Sequence, residues 1–169
     1  MENKFIHLRG AFASGKSTCA RSVIKSGNFV VKEIFVGKKK LYFTHDEQRN
    51  IVVTGRYDTR ECGGVDGEIK NKDLILEYVA AIMKKIRPSC IVFEAVMYGI
   101  TVKFAQNMRI LCERFGYEYV GLCFIPPLEQ SLQWIYQRNN GKKIKEEHLI
   151  KMYDRNIVSF EKLKKMGST

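Results

Sequence analysis

One stretch narrows the possible folds more than any other: Gly10-Ala-Phe-Ala13-Ser14-Gly15-Lys16-Ser17-Thr18, set between an apolar run and a helix-forming one. It fits G-x-x-x-x-G-K-[ST] at every fixed position. Glycines let the backbone curl so that successive N–H groups point at phosphate oxygens, and the helix that follows adds its positive dipole end. Lys4–Leu8 (KFIHL) reads as the strand that enters the loop, and Ser17 to about Lys25 as the helix that leaves it. That strand–loop–helix context is what a phosphate-binding loop requires. The expected nucleotide contacts are Gly10, Ala13, Ser14, Gly15, Lys16, Ser17 and Thr18. Lys16 reaches the outer phosphates and the Ser17 hydroxyl ligates Mg²⁺, which implies ATP with Mg²⁺ and phosphoryl transfer.

The rest of the chain reads as α/β. Asn28–Thr54 is β-rich (FVVKEIFV, LYFTH and IVVT between short polar turns), so three antiparallel strands are expected there. Gly55–Gly67 (GRYDTRECGGVDG) has no sustained period and reads as a loop. Ile69–Ile86 carries a helical apolar stripe ended by Pro88. Cys90–Phe93 is a buried strand ending at Glu94, Thr101–Phe115 a helix, and Tyr117–Ile125 another buried strand. Leu128–Gln137 and Glu146–Lys165 read as the last helices, around a polar basic loop at Arg138–Lys145. Strands alternating with helices predict one domain over residues 1–169, three-layered, with a mostly parallel sheet. The antiparallel segment, about 28–54, is expected on its edge or flank.

Phosphoryl transfer needs an acidic group near the metal and a group that takes or orients the acceptor's proton. Glu94, at the C-terminal end of a strand, sits where open α/β sheets place their ligand crevice. It is the expected metal partner or base, with Ser17 as the second metal ligand. Asp66, after Gly63-Gly64 and before a helix, reads either as an N-cap or as the base for the acceptor, and Asp58 competes for that second role. Arg56 and Tyr57 are candidates for acceptor contacts. Arg138, with Lys142 or Lys143, is a candidate lid that brings cations to the transferred group. Arg155 on the last helix is a weaker candidate. His7, inside an apolar strand, reads as a packed core residue.

Lys and Arg number 29 against 18 Asp and Glu, a net charge of +11. That surplus favours polyanionic partners, DNA among them. No apolar run of membrane-spanning length and no signal peptide are visible, so a soluble cytoplasmic protein is expected. Five scattered cysteines, none in C-x-x-C spacing, read as small buried thiols, with Cys62 between polar and glycine neighbours the one to watch.

With these residues in place, the chain resembles the bacteriophage P-loop kinases typified by the 5-hydroxymethyluridine DNA kinases. GAFASGKST, the run GRYDTRECGGVD after a β-rich segment, and the strand ending in Glu94 (IVFE) carry the resemblance. The basic RNNGKK stretch before a long last helix agrees with it. It implies transfer of the ATP γ-phosphate to the hydroxymethyl oxygen of a modified pyrimidine in DNA, in host cytoplasm if the protein is phage-encoded. Three other functions compete: a nucleoside monophosphate kinase resembling thymidylate kinase, a polynucleotide 5′-hydroxyl kinase, and a DNA-dependent ATPase module. The β-rich Asn28–Thr54 and the absence of an Asp-Arg pair after the strand (Glu94 is followed by Ala95) argue against the first.

Overall fold

A computed structural model describes residues 2–58, 63–95, 101–140 and 145–165, with no side chain described at Asp66. The glycine loop follows β1 (Asn3–Gly10) and opens α1 (Lys16–Lys25). Next come β2 (Val30–Val36), β3 (Lys39–Asp46) and β4 (Ile51–Thr54), a short 3₁₀ turn at Val65–Gly67, and α2 (Lys72–Lys85). The chain then forms β5 (Cys90–Glu94), α3 (Val102–Phe115), β6 (Tyr117–Phe124), α4 (Leu128–Arg138) and α5 (Glu146–Lys165).

All six strands form one sheet in the order β2-β3-β4-β5-β1-β6. β4, β5, β1 and β6 pair in parallel, while β2–β3 and β3–β4 pair antiparallel. The expected α/β fold with a mostly parallel sheet and an antiparallel addition after the first helix is therefore present. The addition is not a separate flap, because β4 belongs both to the meander and to the parallel set.

Period-two alternation along the strands splits the core between two faces. Phe5, Ile91 and Phe93 face α2 and α3, where they join Ile75, Tyr78, Val79, Ile82, Phe104 and Met108 in the larger cluster. Ile6, Leu8 and Val92 face α1 and pack with Ala20, Cys19 and Val23. The result is three layers: α1, the sheet, and α2 with α3. Helix α5 lies beyond α3 and reaches the sheet through Arg9, whose Nη2 donates to Ser159 Oγ at 3.0 Å.

His7 is fully buried as expected, with Nδ1 2.8 Å from the Tyr119 hydroxyl. Burial first, and the cations Arg9 and Lys16 second, hold its pKa well below the ordinary histidine value, so the ring stays neutral. The cysteines among the described residues are free thiols, and Cys62 lies outside those residues.

Helix α2 starts at Lys72 rather than at Ile69. Asn71 is its cap, its side chain accepting from Asp73 N at 2.8 Å and Leu74 N at 3.3 Å. Asp66, one of whose expected roles was to cap this helix, lies instead in the preceding 3₁₀ turn. No helix among the described residues is long and apolar enough to cross a membrane.

Two substitutions test this packing by urea denaturation. Asn71→Ala removes a cap and is expected to cost about 1 kcal/mol. Phe93→Ala, at a fully buried ring packed on Phe5 and Phe104, is expected to cost about 3–5 kcal/mol.

Candidate phosphate-binding cleft and its acidic partner

The turn from β1 into α1 needs a backbone that a side chain would obstruct. Gly10 has φ +149°, and a Cβ there would lie 2.4 Å from Ser14 Oγ and 2.7 Å from the Phe124 carbonyl. Ala13 (φ 52°) and Gly15 (φ 97°) complete the left-handed turns. Lys16 is 3 % exposed, and its ammonium donates to the carbonyls of Gly10 at 2.8 Å and Ala11 at 2.7 Å and to Ser14 Oγ at 3.1 Å. The loop thus holds a buried cation at the mouth of a helix N-terminus.

Glu94 ends β5 beside this loop, and parallel pairing with β1 puts it level with Leu8. It is 2 % exposed, and both carboxylate oxygens accept hydrogen bonds. Ser17 Oγ donates to Oε1 at 2.5 Å, and the Tyr57 hydroxyl donates to Oε2 at 2.5 Å. Burial first, and the neighbouring carboxylate second, push the Tyr57 phenol far above its ordinary value, so it stays protonated and remains a donor. Ser17 and Glu94 bring a hydroxyl and a carboxylate together, the hard oxygen donors that suit Mg²⁺ when substrate phosphates supply further ligands.

Around them opens a cleft of about 880 Å³. The loop residues Ala13–Thr18 line its floor, with Glu94, Gly64 and Gly67 on one side and Phe124, Trp134 and Arg138 on the other. Phe12, Arg21 and Lys70 also line it. The spacing of Trp134 and Arg138 on α4 signals that they share a helix face, and reading the loop alone overlooked Trp134. Arg21 and Lys70 carry no motif and become visible only in the fold.

The acceptor-side residues divide. Gly64 faces the cleft, whereas Gly63 is buried behind it with its carbonyl accepting from Arg56 N at 3.0 Å. A Cβ at Gly55 (φ +95°) would lie 2.0 Å from that carbonyl, and one at Gly63 would lie 2.6 Å from the Tyr57 ring. Glycines at both positions let two backbone segments cross in contact. Tyr57, expected to face an acceptor, turns inward onto Glu94.

Arg56 and Asp58 pair with each other at the surface, with Nε to Oδ1 at 2.8 Å and Nη2 to Oδ2 at 3.1 Å. Neither lines the main cleft. Asp58 instead borders a smaller cavity of about 240 Å³ with Arg21, Lys25, Phe29, Thr44 and Tyr57. The side chain of Asp66, together with Lys142 and Lys143 of the expected lid, lies outside the described residues. Arg155 lines neither of these two cavities; it borders a groove between α5 and the start of α3.

No protein-family model matches the chain, and no curated protein matches it. Among solved structures, a chain of the Pnkp1/Rnl/Hen1 RNA repair complex superposes with a TM-score of 0.61 at 21 % identity. The overlap covers 95 % of this chain and 46 % of that one, so the chain spans less than half the length of its neighbour. At this identity the likeness is one of fold.

Gly10→Ala tests the loop. Strain at φ +149° and the clash with the Phe124 carbonyl are expected to weaken binding of a fluorescent ATP analogue by about tenfold or more and to lower the urea midpoint as well.

Proposed function

We propose that the chain is a kinase domain that moves the γ-phosphate of ATP to a hydroxyl carried by nucleic acid. The observation that carries this reading is the meeting of Lys16, Ser17 and Glu94 at one end of β1 and β5: a phosphate cradle, a cation and a metal-ready carboxylate. Lys16 leaves its loop carbonyls for the outer phosphates and meets the charge that grows on the transferred group. Ser17 and Glu94 would hold Mg²⁺, which when bound would neutralise charge on the phosphates. Trp134 and Arg138, four residues apart on α4, border the space for the donor nucleotide, and Arg138 adds a second cation.

The acceptor we favour is the hydroxymethyl group of 5-hydroxymethyluracil in DNA. The motif run from Gly55 to Asp66 supports this choice, and so does the basic surplus. The β-meander contributes less free charge than its lysines suggest. Lys40 pairs with Glu33 at 2.5 Å, Lys32 pairs with Glu47, and Arg49 pairs with the buried Asp46 at 2.7 Å. Lys38 and Lys39 at the hairpin tip are exposed. A terminal 5′-hydroxyl is the second reading, favoured by the fold shared with a chain of an RNA repair complex. We assign general-base duty to Asp66, which lies in sequence between two residues of the cleft wall, Gly64 and Gly67.

Incubation with γ-labelled ATP and DNA containing hydroxymethyluracil, followed by digestion to nucleosides and mass analysis, identifies the acceptor. Phosphorylated hydroxymethyldeoxyuridine is the expected product. Label confined to 5′ ends selects the second reading, and inorganic phosphate alone overturns both.

Lys16→Ala is expected to lower transfer by about 10²–10³-fold. Asp66→Asn is expected to lower turnover with little change in ATP binding, and unchanged turnover removes Asp66 from the mechanism. Raising salt from about 50 to about 200 mM is expected to raise the KM for DNA by about tenfold or more, leaving that for ATP nearly unchanged.

A further inference from the structure

Tyr57 is out of place for a residue that binds an acceptor. It belongs to the segment after β4, yet it is 7 % exposed and spends its one donor on Glu94 Oε2 at 2.5 Å, across 37 positions of sequence. Its place is fixed from three directions. The Arg21 guanidinium lies over its ring at 5.7 Å from the centroid, and Arg21 Nη1 donates to its carbonyl at 3.3 Å. On the other side Gly63 packs so closely that a Cβ there would lie 2.6 Å from ring atoms. The cavity that includes Asp58 and Thr44 uses the same side chain as a wall.

Glu94 therefore has two donors of different origin. Ser17 comes from the phosphate loop; its hydroxyl would be a ligand to bound Mg²⁺, and its bond to Glu94 would then be exchanged. Tyr57 comes from the acceptor side and remains. We infer that Tyr57 is a positioning residue: its hydroxyl holds the Glu94 carboxylate in its metal-binding orientation and ties that orientation to the backbone crossing of Gly55–Tyr57 with Gly63. A shift of Gly63 against the Tyr57 ring moves the ring, and with it the carboxylate. The placement of the acidic group thus becomes conditional on the acceptor side of the cleft. This inference rests on the assignment of Glu94 as the metal-binding carboxylate made above.

Tyr57→Phe keeps the ring, its packing and its contact with Arg21 while deleting the donor. Losing such an outer partner is expected to raise the Mg²⁺ concentration needed for half-maximal binding of a fluorescent ATP analogue by about tenfold, and to lower kcat by about 10–100-fold. The KM for ATP at saturating Mg²⁺ is expected to stay near wild type, while the urea midpoint falls modestly because the buried Glu94 Oε2 loses its donor. Gly63→Ala leaves Glu94 and Tyr57 chemically intact but displaces the ring, and is expected to reproduce the Mg²⁺ shift.

A Tyr57→Phe protein with wild-type Mg²⁺ dependence and wild-type kcat overturns the inference. So does a Gly63→Ala protein that folds normally and binds Mg²⁺ and nucleotide like wild type. Failure of the wild-type chain to label any nucleic acid counts against the proposed acceptor only, because the Mg²⁺ dependence of nucleotide binding is read without transfer.

Discussion

The arrangement hangs on one buried carboxylate. Glu94 sits at 2 % exposure at the C-terminal end of β5, in a part of the molecule where an unpaired charge is costly to bury. It is accommodated because both of its oxygens accept hydroxyl hydrogen bonds, from Ser17 and from Tyr57. Those two donors come from separate parts of the chain, 40 positions apart in sequence. The phosphate loop and the segment after β4 are thus fastened to one group, and the two halves of the site are built around a shared anchor.

Cations are treated in a parallel way. Lys16 is nearly as buried as Glu94, and in the structure its ammonium is satisfied by carbonyls of its own loop. The loop therefore keeps a charged side chain ready without leaving it unpaired. Arg9 is also buried at 2 % exposure; one end of its guanidinium meets Ser159, and Nη1 finds no hydrogen-bond partner among the described residues. Together with Lys16 it raises the positive potential under the loop, which adds to burial, the larger cause, in lowering the His7 pKa. A net charge of +11 on the whole chain is then partly an interior property, and partly neutralised on the meander by Glu33, Glu47 and Asp46.

Much of this was legible in the sequence because it depends on short-range order. Lys16, Ser17 and the glycines form one contiguous motif, and Glu94 closes an unbroken apolar strand. The alternation of strands and helices gave the order of elements to within a few residues. Long-range pairing was less accessible. Nothing near Tyr57 indicates that its hydroxyl ends on a residue 37 positions away, and the neighbouring Arg56 and Asp58 drew attention by charge although they pair with each other. Asp66 and Asn71 are both plausible caps by type, and only the backbone path decides for Asn71. β4 illustrates the limit well: an apolar run of four residues reads the same whether its neighbour is parallel or antiparallel, and here it has one of each.

That double membership of β4 has a mechanical consequence. The backbone ladder runs without a break from β2 through β3 and β4 into β5, the strand that carries Glu94. Hinges in proteins form where a few loop or terminal residues absorb the rotation, not across a hydrogen-bonded sheet. The meander is therefore a stiff extension of the platform, more an anvil than a jaw. Any movement that narrows the cleft has to come from the opposite flank, where α4 brings Trp134 and Arg138 to it from outside the sheet.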